Sequence, residues 1–263
     1  LRLVTLMPGT IGQVPEDSRP PLRGLMDTAE FAAVIETRGA EDVAARLAPF
    51  LTEARRARIE AVLRARVTSL QIAIEDPQDP HNAAAVVRTA EALGAGAVHV
   101  IGGRASGLLS RRVTRGTFYW ADIRHHADWD DFRADLPVGM QLAGACVEPG
   151  TVELAAVPAD RPLCLLFGNE QAGLSARARA ACTLHFRIPM TGMAESLNLS
   201  VAAGIAMYAL IERRRALLRG SGDLPDRELA GQRARWYAKA IDPRLVRRAL
   251  EIEGVGTQEE SSS

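Results

Sequence analysis

Two polar side chains stand out in a segment otherwise rich in alanine and valine, DPHNAAAVVRTAEALG (79–94). Asn82 and Arg88 lie six residues apart, and the segment predicts a helix that begins at Asn82 and runs to Ala92. Because an unpaired buried charge is costly, we expect Arg88 to have a fixed partner. The alternative is an arginine at the helix edge whose guanidinium reaches water.

A second segment, LLFGNEQAGLS (165–175), leads from an apolar strand into glycines and a carboxylate. The strand ends at Phe167, and Gly168, Glu170 and Gly173 follow it. Open α/β sheets bind ligands beyond the carboxyl ends of their strands, where glycine lets a ligand approach the backbone. The spacing differs from the G-x-G-x-x-G pattern of dinucleotide sites. The alternative is a structural turn in which glycine supplies a positive φ.

The third segment is IPMTGMAESLNLSVAAG (188–204). It predicts a strand that ends at Ile188, a loop, and a long helix over residues 196–218. Serine is a good helix N-cap, so capping alone would explain Ser196. Asn198 would lie one turn inside an apolar stretch, which favours a functional role.

The elements around these segments alternate between strand and helix. Alternation of this kind predicts an α/β fold with a mostly parallel sheet flanked by helices. The predicted strands are 70–74, 98–101, 141–147 and 163–167, and the predicted short helices are 129–134 and 175–181. Helical patterns also cover 27–66 before the sheet, and 226–240 and 243–251 after it.

We therefore divide the chain into five parts. They are an extension that is irregular and then helical (1–50), a basic RNA-binding helix (51–68), the α/β domain (69–219), C-terminal helices (220–253) and a disordered tail (254–263).

The composition, with 47% apolar and 24% charged residues, is that of a soluble globular protein. No apolar run approaches the roughly 20 residues that span a bilayer, and the first residues do not resemble a signal peptide. Cys146, Cys164 and Cys182 lack metal-type spacing. We expect a cytoplasmic protein with free thiols, no metal and no membrane segment.

The net charge is zero, but the basic residues are unevenly distributed. Lys239 is the only lysine, and many of the arginines fall into three groups. Arginine binds phosphate and stacks on bases, so these groups suit RNA, but on this feature alone solvated helix faces are the favoured explanation. The groups are Arg55, Arg56, Arg58, Arg64 and Arg66; Arg213, Arg214, Arg215 and Arg219; and Arg233, Arg235, Arg244, Arg247 and Arg248.

The three segments, in this order, resemble the motifs of the SPOUT (SpoU/TrmH) RNA 2′-O-ribose methyltransferases. They match N-x-x-x-x-x-R, G-x-E-x-x-G-[LV]-S and I-P-M…S-L-N-x-S-V-A, and the resemblance covers residues 70–215. It implies a deep trefoil knot, S-adenosyl-L-methionine (SAM) as methyl donor, a homodimer, and a reaction that needs no metal. Residues 51–66 are similar to the basic N-terminal helix of TrmH enzymes, and 111–120 also resembles them.

The resemblance also implies roles for individual residues. Arg88 would act at the ribose hydroxyl, either as a base or as a charge that stabilises the alkoxide; we favour the charge because free guanidine is rare at neutral pH. The other catalytic residues would be Asn82, Glu170, Ser196 and Asn198, with His81 only orienting. The implied SAM-binding residues are Ala145, Phe167, Gly168, Ile188, Met190 and Leu197, and the implied RNA-binding residues are Arg55, Arg56, Arg58 and Trp120.

Three functions remain open on the sequence. The first is methylation of guanosine 18 in the D-loop of tRNA, the second is the same reaction on ribosomal RNA, and the third is RNA binding without catalysis. The helical N-terminal part and the residues after the long helix favour tRNA.

Overall fold

The structure is a computed structural model that describes residues 29–102, 119–218 and 220–252. The expectations for residues 1–28, for Arg219 and for the tail 254–263 lie outside the described residues, as does most of the segment 111–120.

Seven parallel strands form the sheet of the described residues, in the order β3-β2-β1-β6-β4-β7-β5. The predicted parallel sheet is confirmed, and the central strand β6 is buried throughout, as an apolar run in a parallel sheet requires. The strands are β1 (Leu70–Glu75), β2 (Val98–Ile101), β3 (Ile123–His126), β4 (Gln141–Ala145), β5 (Val152–Glu153), β6 (Leu163–Phe167) and β7 (Leu184–Arg187).

Helices cover both faces of the sheet, and alternate residues of each strand meet one layer or the other. In β1, Ile72 and Ile74 pack with one layer, whereas Ala73 packs with the other. The first layer contains α4 (Pro80–Leu93) and α7 (Leu199–Leu218), which pack on each other. The second contains α5 (Trp129–Asp135) and α6 (Ala176–Ala181).

The long helix α7 begins later than the sequence predicts. Its first residue is Leu199, and the Asn198 carboxamide Oδ1 accepts hydrogen bonds from the backbone N–H and the hydroxyl of Ser200. Asn198 therefore occupies the capping position, and capping does not explain Ser196. Among the residues described, no helix has the length and apolar character needed to cross a bilayer.

The helices before and after the sheet pack together into one bundle. Leu47 and Leu63 from the N-terminal side and Trp236 and Val246 from the C-terminal side share a single buried cluster. The helices are α1 (Ala29–Arg38), α2 (Ala40–Leu47), α3 (Glu53–Arg64), α8 (Asp226–Lys239) and α9 (Pro243–Leu250). The predicted basic helix 51–68 is shorter in the structure, since Thr52 caps α3 and Arg64 ends it.

Several arginines bind backbone carbonyls of this chain and are not free for RNA. Arg66 is buried and donates to the carbonyl oxygens of Ala95 and Gly96, which corrects its inclusion in the first basic group. Arg213, Arg214 and Arg215 donate from α7 to carbonyl oxygens of four separate segments. Their acceptors are Leu154 and Val157 for Arg213, Ala159 for Arg214, and Ala65, Leu93 and Ser221 for Arg215.

Candidate active site

The carboxyl ends of three neighbouring strands bring most of the implied SAM-binding residues to one edge of the sheet. β6, β4 and β7 are adjacent and parallel, and they end at or next to Phe167, Ala145 and Ile188. Gly168 follows Phe167 directly. Because parallel strands point their carboxyl ends the same way, the loops after them meet where α/β sheets bind ligands.

A row of side-chain hydrogen bonds connects the three motif segments. The Asn82 Nδ2 donates to Glu170 Oε1 at 3.0 Å, and the Asn198 Nδ2 donates to Asn82 Oδ1 at 3.0 Å. The backbone N–H of Gln78 donates to the second Glu170 oxygen at 3.1 Å. All five implied catalytic residues lie in the three segments, and this row places three of them, Asn82, Glu170 and Asn198, side by side. We call it the amide relay.

The direction of the amide relay is fixed at both ends. At one end the Ser200 backbone N–H can only donate, so it requires Asn198 to present its oxygen and leaves the Asn198 amide group for Asn82. At the other end the ionised Glu170 can only accept, so it requires the Asn82 amide group. The hydrogen bonds at both ends are therefore consistent with a single orientation of the Asn82 and Asn198 carboxamides.

The charge of Glu170 is maintained by this arrangement. Burial alone would raise the pKa of the Glu170 carboxyl, but hydrogen bonds from the Asn82 side chain and the Gln78 backbone stabilise the carboxylate, and the net effect lowers the pKa. Glu170 is therefore an acceptor that orders the loops and is a poor general acid.

Two further contacts fasten the loop 168–175 to the end of β1. The Asn169 Nδ2 donates to the Asp76 carbonyl oxygen at 2.9 Å, and the Ser175 hydroxyl donates to Glu75 Oε1 at 2.6 Å. Asp76 adopts φ 47°, a conformation that non-glycine residues rarely adopt. Sequence reasoning missed Glu75 and Asp76; their position directly after a buried strand was the available signal.

Gly168 is required by the close approach of the loop to itself. A Cβ atom at Gly168 would lie 2.1 Å from the carbonyl carbon of Gly173 and 2.2 Å from the amide nitrogen of Leu174. Gly173 itself has φ 68°. The two glycines therefore shape a tight turn, and in the structure the backbone close to Gly168 belongs to this same loop.

Arg88 is exposed on α4, and no group among the described residues pairs with it. It lies about 9 Å along the helix axis from Asn82 and about 120° around it. Within the described residues, the Arg88 guanidinium makes no hydrogen bond and no ion pair, so the expectation of a fixed partner is wrong. The helix buries Val86, Val87 and Ala90, and Arg88 falls on its solvent side. A guanidinium held on a rigid helix and left unpaired is available to an anionic ligand.

The loop that precedes α7 is exposed from Pro189 to Asn198, and it contains the remaining predicted residues. Met190 and Leu197 expose 37% and 36% of their surface, which leaves two apolar side chains beside the carboxyl edge. Ser196 is exposed and, among the residues described, has no hydrogen-bond partner.

We expect Asn198→Ala to destabilise the protein and Ser196→Ala to leave its stability unchanged. Asn198 caps α7 and holds Asn82, and loss of a cap costs about 0.5–2 kcal/mol, whereas Ser196 is exposed and makes no hydrogen bond to a described group. Urea unfolding of the two variants checks this difference. Equal stability of both variants would contradict the capping role of Asn198.

The implied RNA-binding residues lie on the helical bundle and differ in exposure. Arg55 and Arg58 are exposed on α3, and Arg56 is half-buried. The Arg55 guanidinium carbon lies 5.3 Å from the centre of the Trp120 ring, and Trp120 in turn contacts Trp236 at 5.1 Å between ring centres. Trp120 is thus partly packed into the bundle, with Arg55 over its ring.

Comparisons with known proteins agree with this geometry. The sequence matches the SpoU rRNA Methylase family over residues 69–208. It is 32% identical over 201 residues to the tRNA (guanosine(18)-2'-O)-methyltransferase of Borreliella burgdorferi, which covers 74% of this chain and 89% of that protein.

Two solved structures are similar as well. The TrmH/SpoU tRNA modifying enzyme of A. aeolicus has a TM-score of 0.63 and 26% identity, over 72% of this chain and 98% of that one. The AdoMet-bound rRNA methyltransferase of Sinorhizobium meliloti has a TM-score of 0.51 and 30% identity, over 57% of this chain and 60% of that one. Since the family match spans more than half of the chain and includes all three segments of the amide relay, the chain belongs to the SpoU methylase family.

Proposed function

We propose that this protein transfers the methyl group of SAM to the 2′-hydroxyl of guanosine 18 in the D-loop of tRNA. SAM-dependent 2′-O-methylation of RNA is the activity that its family supplies. The observation that carries the proposal is the amide relay, which joins the three motif segments at the carboxyl edge of the sheet. A protein that only bound RNA would have no need of this ordered arrangement.

The residues at the carboxyl edge fit SAM. Met190 and Leu197 expose apolar surface on which an adenine could pack, and the loops after β4, β6 and β7 present backbone groups beside it. We assign SAM binding to these two residues and to the backbone near Ala145, Phe167, Gly168 and Ile188. SAM supplies an activated methyl group on a sulfonium, so the protein needs only to position the ribose and assist loss of its proton.

We assign Arg88 to the charge that develops on the ribose. Its guanidinium is exposed and unpaired within the described residues, so it can bind the phosphate next to the reacting nucleotide and stabilise the 2′-oxygen as it becomes anionic. Because arginine side chains are not deprotonated in proteins, the proton of the 2′-hydroxyl leaves to solvent and not to Arg88. Asn82, Glu170, Ser196 and Asn198 order the loops and hold the ribose or its phosphate.

The chain aligns with a larger fraction of the tRNA enzymes than of the rRNA enzyme, which favours tRNA as the substrate. The chain covers 89% of a curated tRNA guanosine-18 enzyme and 98% of a solved tRNA modifying enzyme, but only 60% of the solved rRNA methyltransferase.

Transfer of tritium from labelled SAM tests the proposal. We expect the purified protein to methylate unmodified tRNA transcripts and to lose activity when guanosine 18 is replaced by another nucleotide. Ribosomal RNA fragments are the control substrate. Equal labelling of tRNA with and without guanosine 18 would contradict the assigned nucleotide, and labelling of ribosomal RNA alone would favour the second candidate.

We assign the RNA contact outside the site to the exposed arginines of α3. Arg55 and Arg58 are exposed and stand on a helix whose apolar side, Ile59 and Leu63, is buried. Contacts of this kind bind phosphates, position the substrate and carry little sequence information. Arg56 is half-buried, and Trp120 contributes by holding Arg55.

We propose that the protein is a homodimer that uses an exposed stripe on α7. Val201, Ile205 and Tyr208 follow helical spacing and expose 49%, 41% and 60% of their surface. The alanine-rich face of the helix is not available, because Ala203 and Ala206 are fully buried within the chain.

We expect Ile205→Asp to convert the dimer into a monomer, because a charge in an apolar interface is costly. Light scattering should give about twice the chain mass of 28.3 kDa for the wild type and the chain mass for the variant. Leu217→Asp is the matched control: it is exposed on the same helix, about 120° away around the axis. A wild type that is monomeric would remove this proposal.

For the fold we propose the trefoil knot within residues 69–219. After β7 the chain returns through the exposed loop to place α7 on α4 and on β1, which is consistent with threading. The bundle of residues 29–64 and 226–250 would form the accessory RNA-binding part.

The free cysteines Cys146, Cys164 and Cys182 support a location in the reducing cytoplasm.

A further inference from the structure

Two histidines and a carboxylate meet on the sheet face opposite α4 and α7. The His99 Nδ1 lies 2.9 Å from the His126 Nε2, and Asp135 Oδ2 lies 3.9 Å from each of these nitrogens. His99 is fully buried in β2, His126 is nearly so at the end of β3, and Asp135 ends α5 with its carboxylate partly exposed. The two ring nitrogens are within hydrogen-bonding distance, and the carboxylate lies beside both of them, so three potential metal-ligand atoms converge at one point.

We propose that His99, His126 and Asp135 bind one divalent transition-metal ion, with Zn²⁺ as the ion that this donor set suits best. Two imidazole nitrogens and one carboxylate oxygen are ligands that Zn²⁺ accepts readily. The reaction proposed above needs no metal, and this site has a structural role apart from it.

The spacing of the three ligand atoms is close to what the ion requires. Bonds of about 2.0–2.1 Å in a tetrahedral site place neighbouring ligand atoms about 3.4 Å apart. The separations of 2.9, 3.9 and 3.9 Å differ from that value by about half an ångström, which small rotations of the side chains can supply. The carboxylate lies toward solvent, so an ion can enter from that side.

The groups around the cluster are those that orient metal ligands. The His99 Nε2 lies 2.9 Å from Gln71 Oε1. Because this amide oxygen can only accept, the ring proton of His99 is on Nε2, and the lone pair of Nδ1 is directed into the cluster. Asp131 Oδ2 lies 3.7 Å from the outer nitrogen of His126.

The charges that face the cluster balance a divalent ion. Asp122, Asp131 and Asp135 are acidic, and Arg124 is the one cation that contacts the group in the described residues. The Arg124 guanidinium donates to both Asp122 oxygens and to Asp135 Oδ2 at 3.0 Å. It therefore orients the carboxylate of Asp135, as hydrogen-bonded neighbours of metal-ligating carboxylates do, and leaves a net charge of about −2 for the ion.

Binding of Zn²⁺ to the whole protein tests the proposal. Calorimetry of the chelator-treated protein with zinc chloride should give one site per chain, and both His126→Gln and Asp135→Asn should weaken it at least about tenfold, the usual minimum effect of disturbing a metal site. His125→Gln is the matched control, because it changes the neighbouring histidine of the same strand, outside the cluster. Zinc should also raise the melting temperature of the wild type and of the control, but not of the two ligand variants.

Two results would overturn the proposal. One is the absence of saturable binding at one ion per chain in the wild type. The other is unchanged affinity in Asp135→Asn, a partly exposed position whose substitution leaves the buried histidines in place. In either case His99 and His126 form a hydrogen-bonded pair only. Because the sheet separates the cluster from α4, SAM-dependent turnover is not the readout.

Discussion

Replacing Arg88 by alanine is expected to lower turnover by about 100- to 1000-fold, the usual cost of removing one group that stabilises a developing oxyanion. SAM affinity should stay the same, because Arg88 lies on α4 and the proposed SAM-binding groups lie in the loops after β4, β6 and β7. The free energy of unfolding of the Arg88→Ala variant should also equal that of the wild type, since the Arg88 guanidinium is exposed and has no partner among the described residues. Tritium transfer and SAM calorimetry measure the two quantities separately.

A second variant separates the two roles considered for Arg88. Arg88→Lys keeps a positive charge but loses the planar fork, so we expect part of the lost activity to return at neutral pH. Arg177→Ala, which also removes an exposed arginine from a helix of the α/β domain, is the control and should retain activity. Near-normal turnover in Arg88→Ala would remove Arg88 from the mechanism.

Gly168→Ala is expected to have the largest effect on SAM binding. Its Cβ would lie within 2.3 Å of three backbone atoms of Gly173 and Leu174, and backbone atoms cannot move aside as a flexible side chain can. The turn must open, which costs about 1–3 kcal/mol or more. Opening the turn also moves Asn169 and Glu170 away from Asp76 and Asn82. If SAM binding requires the closed turn, its affinity should fall about tenfold for each 1.4 kcal/mol needed to close the turn again.

Gly231→Ala is the matched control, since the two changes add the same methyl group. Gly231 lies inside α8, and a Cβ there meets no atom within 4 Å. Alanine should therefore stabilise the helix by about 0.5–1 kcal/mol, the opposite sign. Thermal unfolding and SAM calorimetry of both variants check the pair. Normal SAM affinity in Gly168→Ala would show that the turn is not part of the binding edge.

The sheet could be predicted from the sequence because its central strands are continuous apolar runs. β2 and β6 match the predicted residues, and β1 differs by one residue. β3 (Ile123–His126) was missed because its sequence, IRHH, lacks an apolar pattern; one of its two histidines, His126, is buried in a polar cluster. The two-residue strand β5 has no sequence signal at all.

The residues of the candidate site could be predicted, but not their arrangement. Resemblance pointed to Asn82, Glu170 and Asn198, yet nothing in their spacing shows that Asn82 bridges the other two. Ser196 looked like the helix cap because Ser and Asn both cap well, and local propensity does not decide between positions two residues apart. The structure places Asn198 at the cap, where it can reach Asn82.

The same limit applies to the arginines. Arg58 and Arg215 look alike in the sequence, since both stand in basic runs on helices. The first is exposed, whereas the second donates to carbonyl oxygens 122 and 150 residues away in the chain. Only the tertiary structure distinguishes an arginine that is available to bind phosphate from one whose guanidinium donates to backbone carbonyls.

The amide relay also bears on how the protein acquires its activity. Its two side-chain bonds join residues 88 and 116 positions apart, and contacts of such long sequence separation form late because loop-closure entropy opposes them. During translation, Asn82 is synthesised 116 residues before Asn198, its hydrogen-bond partner. Under the role proposed for the amide relay, methyl transfer therefore requires the last helix of the α/β domain to be in place.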